Sequence, residues 1–312
     1  MTSLSTIRKA AEGEIDLPTL ERSLRRPRTL FSALMSLFTG LATVAAMFPL
    51  FSVLYLLVVR GSAALSFKAI RELPPAAMMT GGGFGNAIIG TIVIVVIATV
   101  ISVPLGILGA IYIAEFGPDT RTAAALRFAA KVLTGLPSII AGVFAFATIV
   151  ELTGGFSAPA GGVALSLLMI PTILLTAEEA IKRVPAKMRE AAIGMGATPS
   201  QVVGQVILPT AAPGILTGVM LAVARAAGET APLLFTALFS DFWMSRTAPY
   251  FLPKTLDEFM KPTASLAVLI YNFSGSPFEN QVAMAWAAAL TLVVIVLLTN
   301  IAGQVLSRRS AD

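Results

Sequence analysis

The 312-residue chain contains no cysteine and no histidine. These absences exclude disulfides, thiolate nucleophiles, zinc sites built from Cys and His, haem ligation by His and imidazole proton relays. The dipeptide Gly-Lys is also absent, so the chain has no P-loop of the kind that binds ATP. Any chemistry must therefore come from Asp, Glu, Lys, Arg and hydroxyl groups, and any ATP hydrolysis must occur in another chain.

Charged residues are scarce as well. They make up 12% of the sequence, whereas 56% is hydrophobic, and an average soluble domain carries about 25% charged residues. This composition predicts an all-α integral membrane protein. The net charge of +5 does not indicate nucleic-acid binding, because the basic residues form short clusters between apolar runs, where they act as topology signals.

Six long uncharged runs recur along the chain, and each approaches the length of about 20 residues that a spanning helix needs. We therefore predict about six transmembrane helices. Prolines at positions 49, 104, 137 and 171 are expected to kink these helices and not to break them. The predicted spans cover residues 30–59, 86–114, 132–150, 162–177, 213–239 and 282–306.

Most of the 22 Lys and Arg residues fall on one side of this arrangement, which places both termini in the cytoplasm by the positive-inside rule. Residues 1–28 do not have a signal-peptide layout. We expect them to form a cytoplasmic tail, followed by one transmembrane domain at 29–312. The predicted location is the plasma or inner membrane of a bacterium.

The segment between the fourth and fifth spans, residues 178–212, is polar and lies on the cytoplasmic side. Glycines at 194 and 196 precede Thr198-Pro199-Ser200, which is typical of a helix start with proline at the first position. The pattern predicts two short helices joined by a glycine turn. From the residues alone, a plain connector remains open.

This segment resembles the EAA loop of ATP-binding-cassette importer permeases. The resemblance implies the MetI-like fold of type I importers and a loop that docks on a separate ATPase subunit, which would bind the ATP and Mg²⁺. It also implies no cofactor, metal or catalytic residue in this chain. The matching positions are Glu190, Ala191, Ala192 and Gly196, which would dock, then Val206 in place of the usual isoleucine, and Leu208 and Pro209.

Two charged residues, Arg225 and Glu229, interrupt the apolar run of the fifth span. At 100° per residue they share one helix face with Gly214, Gly218, Ala222 and Ala226, so this face should point into the bundle or at another subunit. Two interpretations remain open. The pair is either a buried ion pair that fixes packing, or a site on a substrate path where Arg225 offers a planar donor fork to an oxyanion.

The stretch "LAVARAAGETAPLLFTAL" around this pair resembles the fifth span of phosphate-specific importer permeases of the PstA type. The likeness includes "GLPSIIAG" at 135–142 and "PTASLAVLIYNFSGSPFEN" at 262–280. It implies transport of inorganic phosphate past Arg225, Glu229 and Thr230. The implied partners are a PstC-like permease, two copies of a cytoplasmic ATPase, an extracytoplasmic phosphate-binding protein and membrane lipid.

Other functions remain as alternatives. The same machine could carry molybdate or sulfate, because one arginine does not distinguish tetrahedral oxyanions. A secondary anion transporter or channel would use 178–212 as a plain loop. A membrane-embedded hydrolase would need a carboxylate pair or a metal cluster that the sequence does not offer.

The motif Leu136-Pro137-Ser138 has a structural interpretation. We expect a proline kink in which Ser138 bonds back to a helix carbonyl.

Overall fold

The computed structural model describes residues 27–79, 81–245 and 255–309, and within them the backbone is helical or irregular. The predicted tail at 1–28 falls almost wholly outside the described residues. The helices are α1 (Pro27–Ala64), α2 (Gly85–Phe116), α3 (Arg121–Gly135), α4 (Ser138–Thr153), α5 (Ala158–Lys182), α6 (Ala186–Gly194), α7 (Pro199–Ala227), α8 (Ala231–Leu234), α9 (Leu256–Phe259), α10 (Leu266–Ser274) and α11 (Glu279–Arg309).

Five helices, α1, α2, α5, α7 and α11, are long and apolar enough to cross a membrane, and the bent pair α3 and α4 would make a sixth span. The prediction of about six spans is thus confirmed in length and composition. Short π-helical turns end α2 and lie within α4 and α7. The chain divides into two compact units, of which the first ends at Tyr55 inside α1 and the second begins at Leu56.

The core of the second unit is built around α5. Its buried residues Leu165, Met169, Ile173, Ala177 and Ile181 recur every four positions and form one apolar stripe. Helices α2, α3, α4 and α7 pack on α5. Small residues permit these close approaches: a Cβ on Gly106 of α2, for example, would lie 2.7 Å from Ile173. A central helix with this pattern is typical of a membrane bundle packed through small residues.

The third predicted span is not one helix. Helix α3 ends at Gly135, α4 begins at Ser138, and the two axes differ by 104°. Leu136 between them is extended, at φ −73° and ψ 141°, which is the conformation favoured before a proline. Our expectation of a kink at Pro137 was wrong, whereas Pro49, Pro104 and Pro171 do lie inside continuous helices.

The fifth predicted span also ends earlier than expected. Helix α7 stops at Ala227 with Gly228 at its C-cap, and not at Phe239. Pro232 explains the stop, because its ring would clash with the carbonyl of residue 228 if the helix continued. Residues 228–240 instead follow an irregular path through the protein, interrupted by the single turn of α8.

Candidate functional site

The charged pair of the fifth span lies at the end of α7. Arg225 is in the last helical turn, where the helix dipole favours a cation, and Glu229 follows the C-cap. Arg225 Nε lies 3.3 Å from Glu229 Oε1, and the two side chains are 50% and 17% exposed. Among the described residues, the two terminal nitrogens of Arg225 have no hydrogen-bond partner. The arginine is thus held through one nitrogen and presents the others outward.

The small-residue face of α7 packs on α5 of the same chain, as the helical wheel predicted. A Cβ on Gly218 would lie 2.1 Å from Thr176 Oγ1, and one on Gly214 would lie 2.8 Å from Ala180. Ala222 and Ala226 continue this buried face. Arg225 stands at its edge, so the guanidinium emerges from the seam between α5 and α7 and is not enclosed by it.

The irregular segment 228–240 is fixed by contacts to α2, to α4 and to the N-cap residue of α5. The carbonyl of Thr236 accepts from Ser157 N at 2.9 Å, and Asn86 Nδ2 donates to the Ser240 carbonyl at 2.8 Å. Gly142 of α4 approaches so closely that a Cβ there would lie 2.6 Å from Pro232 Cα. Non-helical backbone is tolerated at membrane depth only where protein or a cavity satisfies it, and these contacts provide that support for the turn that carries Glu229.

The motif around Pro137 supports this same segment. The stretch "GLPSIIAG" supplies Gly142 and so brings α4 against α8, which links two stretches far apart in sequence. The hydroxyls of Ser138 and Thr230 have no hydrogen-bond partner among the residues that the structure describes. The bond from Ser138 back to a helix carbonyl that we expected is therefore not formed; Ser138 opens α4 and has no preceding turn of its own helix to bond.

A second charged cluster was not predicted from the sequence. Glu178 of α5 is 5% exposed and accepts from Arg127 Nε of α3 and from Lys182 Nζ, each at 2.6 Å. Arg127 also donates from Nη1 to the Pro118 carbonyl at 2.9 Å and from Nη2 to the Ile113 carbonyl at 2.6 Å. All three nitrogens of its guanidinium are thus occupied. In the sequence, Glu178 is recognisable only as the charged residue that follows the fourth predicted span.

The polar segment forms a helical hairpin with the predicted glycine turn, but its second helix is not short, because α7 continues from Pro199 to Ala227. Helices α6 and α7 meet at Gly196, whose φ of +89° lies in the left-handed region that favours glycine. Thr198 caps α7 and shares a capping box with Gln201, with Pro199 at the first helical position. Both signals were legible in the sequence, and the predicted turn and helix start are confirmed.

The residues matched to the EAA loop differ in exposure. Glu190, Ala191 and Gly196 are exposed, whereas Ala192 is 3% exposed and packs in the core. Leu208 and Pro209 lie within α7, partly buried and exposed respectively. The apolar side chains of Ile193 and Met195, 60% and 84% exposed at the tip, were not singled out by the sequence analysis.

The hairpin is tied to the bundle by one part-buried ion pair. Arg189 Nη2 of α6 donates to Glu115 Oε1, in the π-helical turn that ends α2, at 2.8 Å, and to the Ile181 carbonyl of α5 at 2.9 Å. A displacement of α6 would therefore act directly on the ends of α2 and α5.

Comparison with known proteins defines the class. Two solved ABC transporters share the fold at low sequence identity. One is the methionine ABC transporter MetNI in an inward-facing conformation (TM-score 0.56, 22% identity, covering 74% of this chain and 95% of that one). The other is a bacterial alginate ABC transporter in complex with an alginate pentasaccharide-bound periplasmic protein (TM-score 0.60, 16% identity, covering 94% of this chain and 98% of that one). The fold is that of a MetI-like permease of an ABC importer, as the sequence predicted.

The family follows from the sequence match. Residues 102–312 match the model of the binding-protein-dependent transport system inner membrane component. The phosphate transport system permease protein PstA of Yersinia pestis is 36% identical over 286 residues, which is 92% of each chain. This chain therefore belongs to the family of binding-protein-dependent transport system inner membrane components, and it is a multi-pass protein of the inner membrane.

Proposed function

We propose that this chain is a permease subunit of an ATP-driven importer that carries inorganic phosphate across the membrane, with Arg225, Glu229 and Thr230 on the substrate path. The observation that carries the proposal is the half-exposed guanidinium of Arg225. A planar fork with free N–H groups is suited to bidentate binding of an oxyanion. The 36% identity to the Yersinia pestis permease supports phosphate over molybdate or sulfate.

Glu229 has a matching role in this proposal. Its contact with Arg225 is long, at 3.3 Å, and an exposed pair of this kind is worth little to stability. A carboxylate in this place neutralises the guanidinium while the path is empty and yields when an anion arrives. Thr230 adds a hydroxyl without a competing partner among the described residues, one residue further along.

We further propose that the α6–α7 hairpin couples this chain to a cytoplasmic ATPase, present in two copies, which binds ATP and Mg²⁺. Glu190, Ala191 and Gly196 with the tip residues Ile193 and Met195 supply an exposed surface that can dock in a groove. Ala192 would support this surface from inside, and Leu208 and Pro209 would connect it to α7.

The remaining partners belong to the same proposal. A PstC-like permease would cover the open side of Arg225, and an extracytoplasmic phosphate-binding protein would deliver the anion. Both termini would lie in the cytoplasm, with 1–28 as a tail and 29–312 as the transmembrane domain. The alternative that competes most closely is the same machine with another oxyanion, since the fold does not distinguish them.

The substrate is tested by ATP-dependent uptake of radiolabelled phosphate into proteoliposomes that contain the whole complex, with sulfate and molybdate as competitors. We expect wild type to accumulate phosphate and only unlabelled phosphate to compete. Equal competition by sulfate or molybdate would show that the substrate assignment is wrong although the machine is right.

Coupling is tested by co-purification with the ATPase. We expect Glu190→Lys to lose the complex, whereas Glu151→Lys, an exposed carboxylate at the end of α4, should retain it. Uptake driven by an ion gradient without any ATPase would instead identify a secondary transporter.

A further inference from the structure

A groove runs along the seam between α5 and α7, on the side where Arg225 emerges. It encloses about 400 Å³. It is lined by residues between 176 and 183 of α5 and between 210 and 221 of α7. We call this feature the α5–α7 groove.

The α5–α7 groove continues the surroundings of Arg225. Beyond the groove, Thr172 of α5 together with Arg225 and Glu229 lines a narrower crevice, which has no room for a water molecule. Thr172 and Thr176 are one turn apart on α5, and Leu221 and Arg225 are one turn apart on α7. The two spaces therefore follow one another along the same seam, and from Thr172 to Arg183 this seam is about 16 Å long at 1.5 Å per residue.

Apart from Leu221, the wall that α7 contributes is polar or small. The outward positions along this face, spaced by three or four residues, are Thr210, Gly214, Thr217, Leu221 and Arg225. The outward face of α11, by contrast, presents Val294, Leu297, Leu298 and Ile301, each at least 44% exposed. A charge that faces hydrocarbon costs several kcal/mol, so the groove side of α7 is the side suited to water and to an anion.

A second arginine stands at the far end of the groove. Arg183 Nη2 lies 3.7 Å from Glu179 Oε2, beyond hydrogen-bond length, and the side chains are 82% and 74% exposed. Like Arg225 with Glu229, this is an arginine beside a glutamate four residues away whose donor fork is left open. The two Arg–Glu pairs thus stand at the two ends of one seam between α5 and α7.

We propose that the α5–α7 groove is the inner half of the anion path and that Arg183, with Glu179, is a second anion site from which the oxyanion leaves. This inference rests on the proposed function of Arg225. A loosely held, exposed arginine suits release, because the anion exchanges there between the guanidinium and water. The alternative is that Glu179 and Arg183 form a solvated surface pair without a role.

Water access to the groove is tested first, and the absence of cysteine from this chain allows it directly. Thr217→Cys and Leu298→Cys, both at exposed positions, are each introduced into the complex with cysteine-free partners. We expect an impermeant anionic thiosulfonate, added to inverted vesicles, to modify position 217 and not position 298. Equal reactivity at both positions, or no reactivity at position 217, would contradict the proposal that the α5–α7 groove is part of the anion path.

The role of Arg183 is tested by phosphate uptake in the whole complex. We expect Arg183→Gln to lower uptake about tenfold, as for loss of a charged hydrogen bond. ATPase activity stimulated by the binding protein should stay within about twofold of wild type, because the variant loses no hydrogen bond to the ATPase. Arg183→Lys should recover part of the uptake. Lys131→Gln removes an exposed cation of α3 that does not line the groove and serves as the control.

Each other outcome contradicts the proposal in a distinct way. Equal uptake by Arg183→Gln and Lys131→Gln would identify a solvated pair. A joint loss of uptake and ATPase stimulation in Arg183→Gln would assign Arg183 to the ATPase contact. If wild type carries sulfate or molybdate and not phosphate, the proposed substrate is wrong. Uptake of that anion by Arg183→Gln and by the control variant then tests the role of Arg183. If wild type carries none of the three anions, both proposals fail.

Discussion

Two arginines of this chain differ in exposure and in how many of their guanidinium nitrogens form hydrogen bonds. Arg127 is 23% exposed and uses all three guanidinium nitrogens, on Glu178 and on two backbone carbonyls. Arg225 is 50% exposed and uses one nitrogen, on a carboxylate 3.3 Å away. The saturated arginine ties helices together, whereas the unsaturated one leaves donors open, as the substrate role that we propose for Arg225 requires. Both side chains carry the same charge, so the number of hydrogen-bonded donors is what distinguishes them.

The largest effect on stability is expected at the saturated site. Glu178→Ala would leave Arg127 part-buried without its carboxylate, and removal of one partner from a buried pair costs about 3–5 kcal/mol. We expect a large drop in the thermal stability of the purified complex. Glu179→Ala changes the next residue, whose side chain is 74% exposed, and should stay within about 0.5 kcal/mol of wild type. Similar losses of thermal stability in Glu178→Ala and Glu179→Ala would show that the buried ion pair stabilises the protein no more than an exposed glutamate does.

A smaller effect is expected where α4 supports the turn beside Arg225. Gly142→Ala would place a methyl group 2.6 Å from Pro232 Cα, and overpacking of this kind costs about 1–3 kcal/mol. We expect lower thermal stability together with reduced uptake, because the segment that carries Glu229 must shift. Gly135→Ala is the control, since a Cβ there meets nothing within 4 Å. Normal uptake by Gly142→Ala would show that the position of this turn does not matter.

The smallest effect on stability is expected at Glu229. Its pair with Arg225 is long and half-exposed, so Glu229→Gln should cost less than about 1 kcal/mol of stability. Uptake should nevertheless change, because Arg225 would lose the carboxylate that competes with the anion. A loss of stability as large as that of Glu178→Ala would show that the Arg225 pair is structural after all.

Much of the fold was legible in the sequence, because apolar length and capping signals act locally. The run at 86–114 became the helix Gly85–Phe116, and Thr198 with Gln201 formed the expected cap. The break at Pro137 was not predictable in this way. Pro104 and Pro171 also interrupt apolar runs and remain inside helices; what distinguishes Pro137 is the packing of α4 on α8.

The candidate site was predictable in part. Spacing placed Arg225 and Glu229 within reach of each other, because four residues make about one helical turn. The environment of Glu178 was hidden, since its partner Arg127 lies 51 positions earlier in the chain. The same limit applied to Arg189 and Glu115, which are 74 positions apart. Long-range ion pairs depend on tertiary packing that residue patterns do not report.

The central claim is most directly tested by a paired measurement on Arg225→Gln and Arg127→Gln in the reconstituted complex. For each variant, assembly, ATPase activity and phosphate uptake are recorded together. We predict that Arg225→Gln assembles, hydrolyses ATP and transports almost no phosphate, whereas Arg127→Gln loses assembly and activity together. Normal uptake by Arg225→Gln would contradict the account and would leave Arg225 as a packing residue.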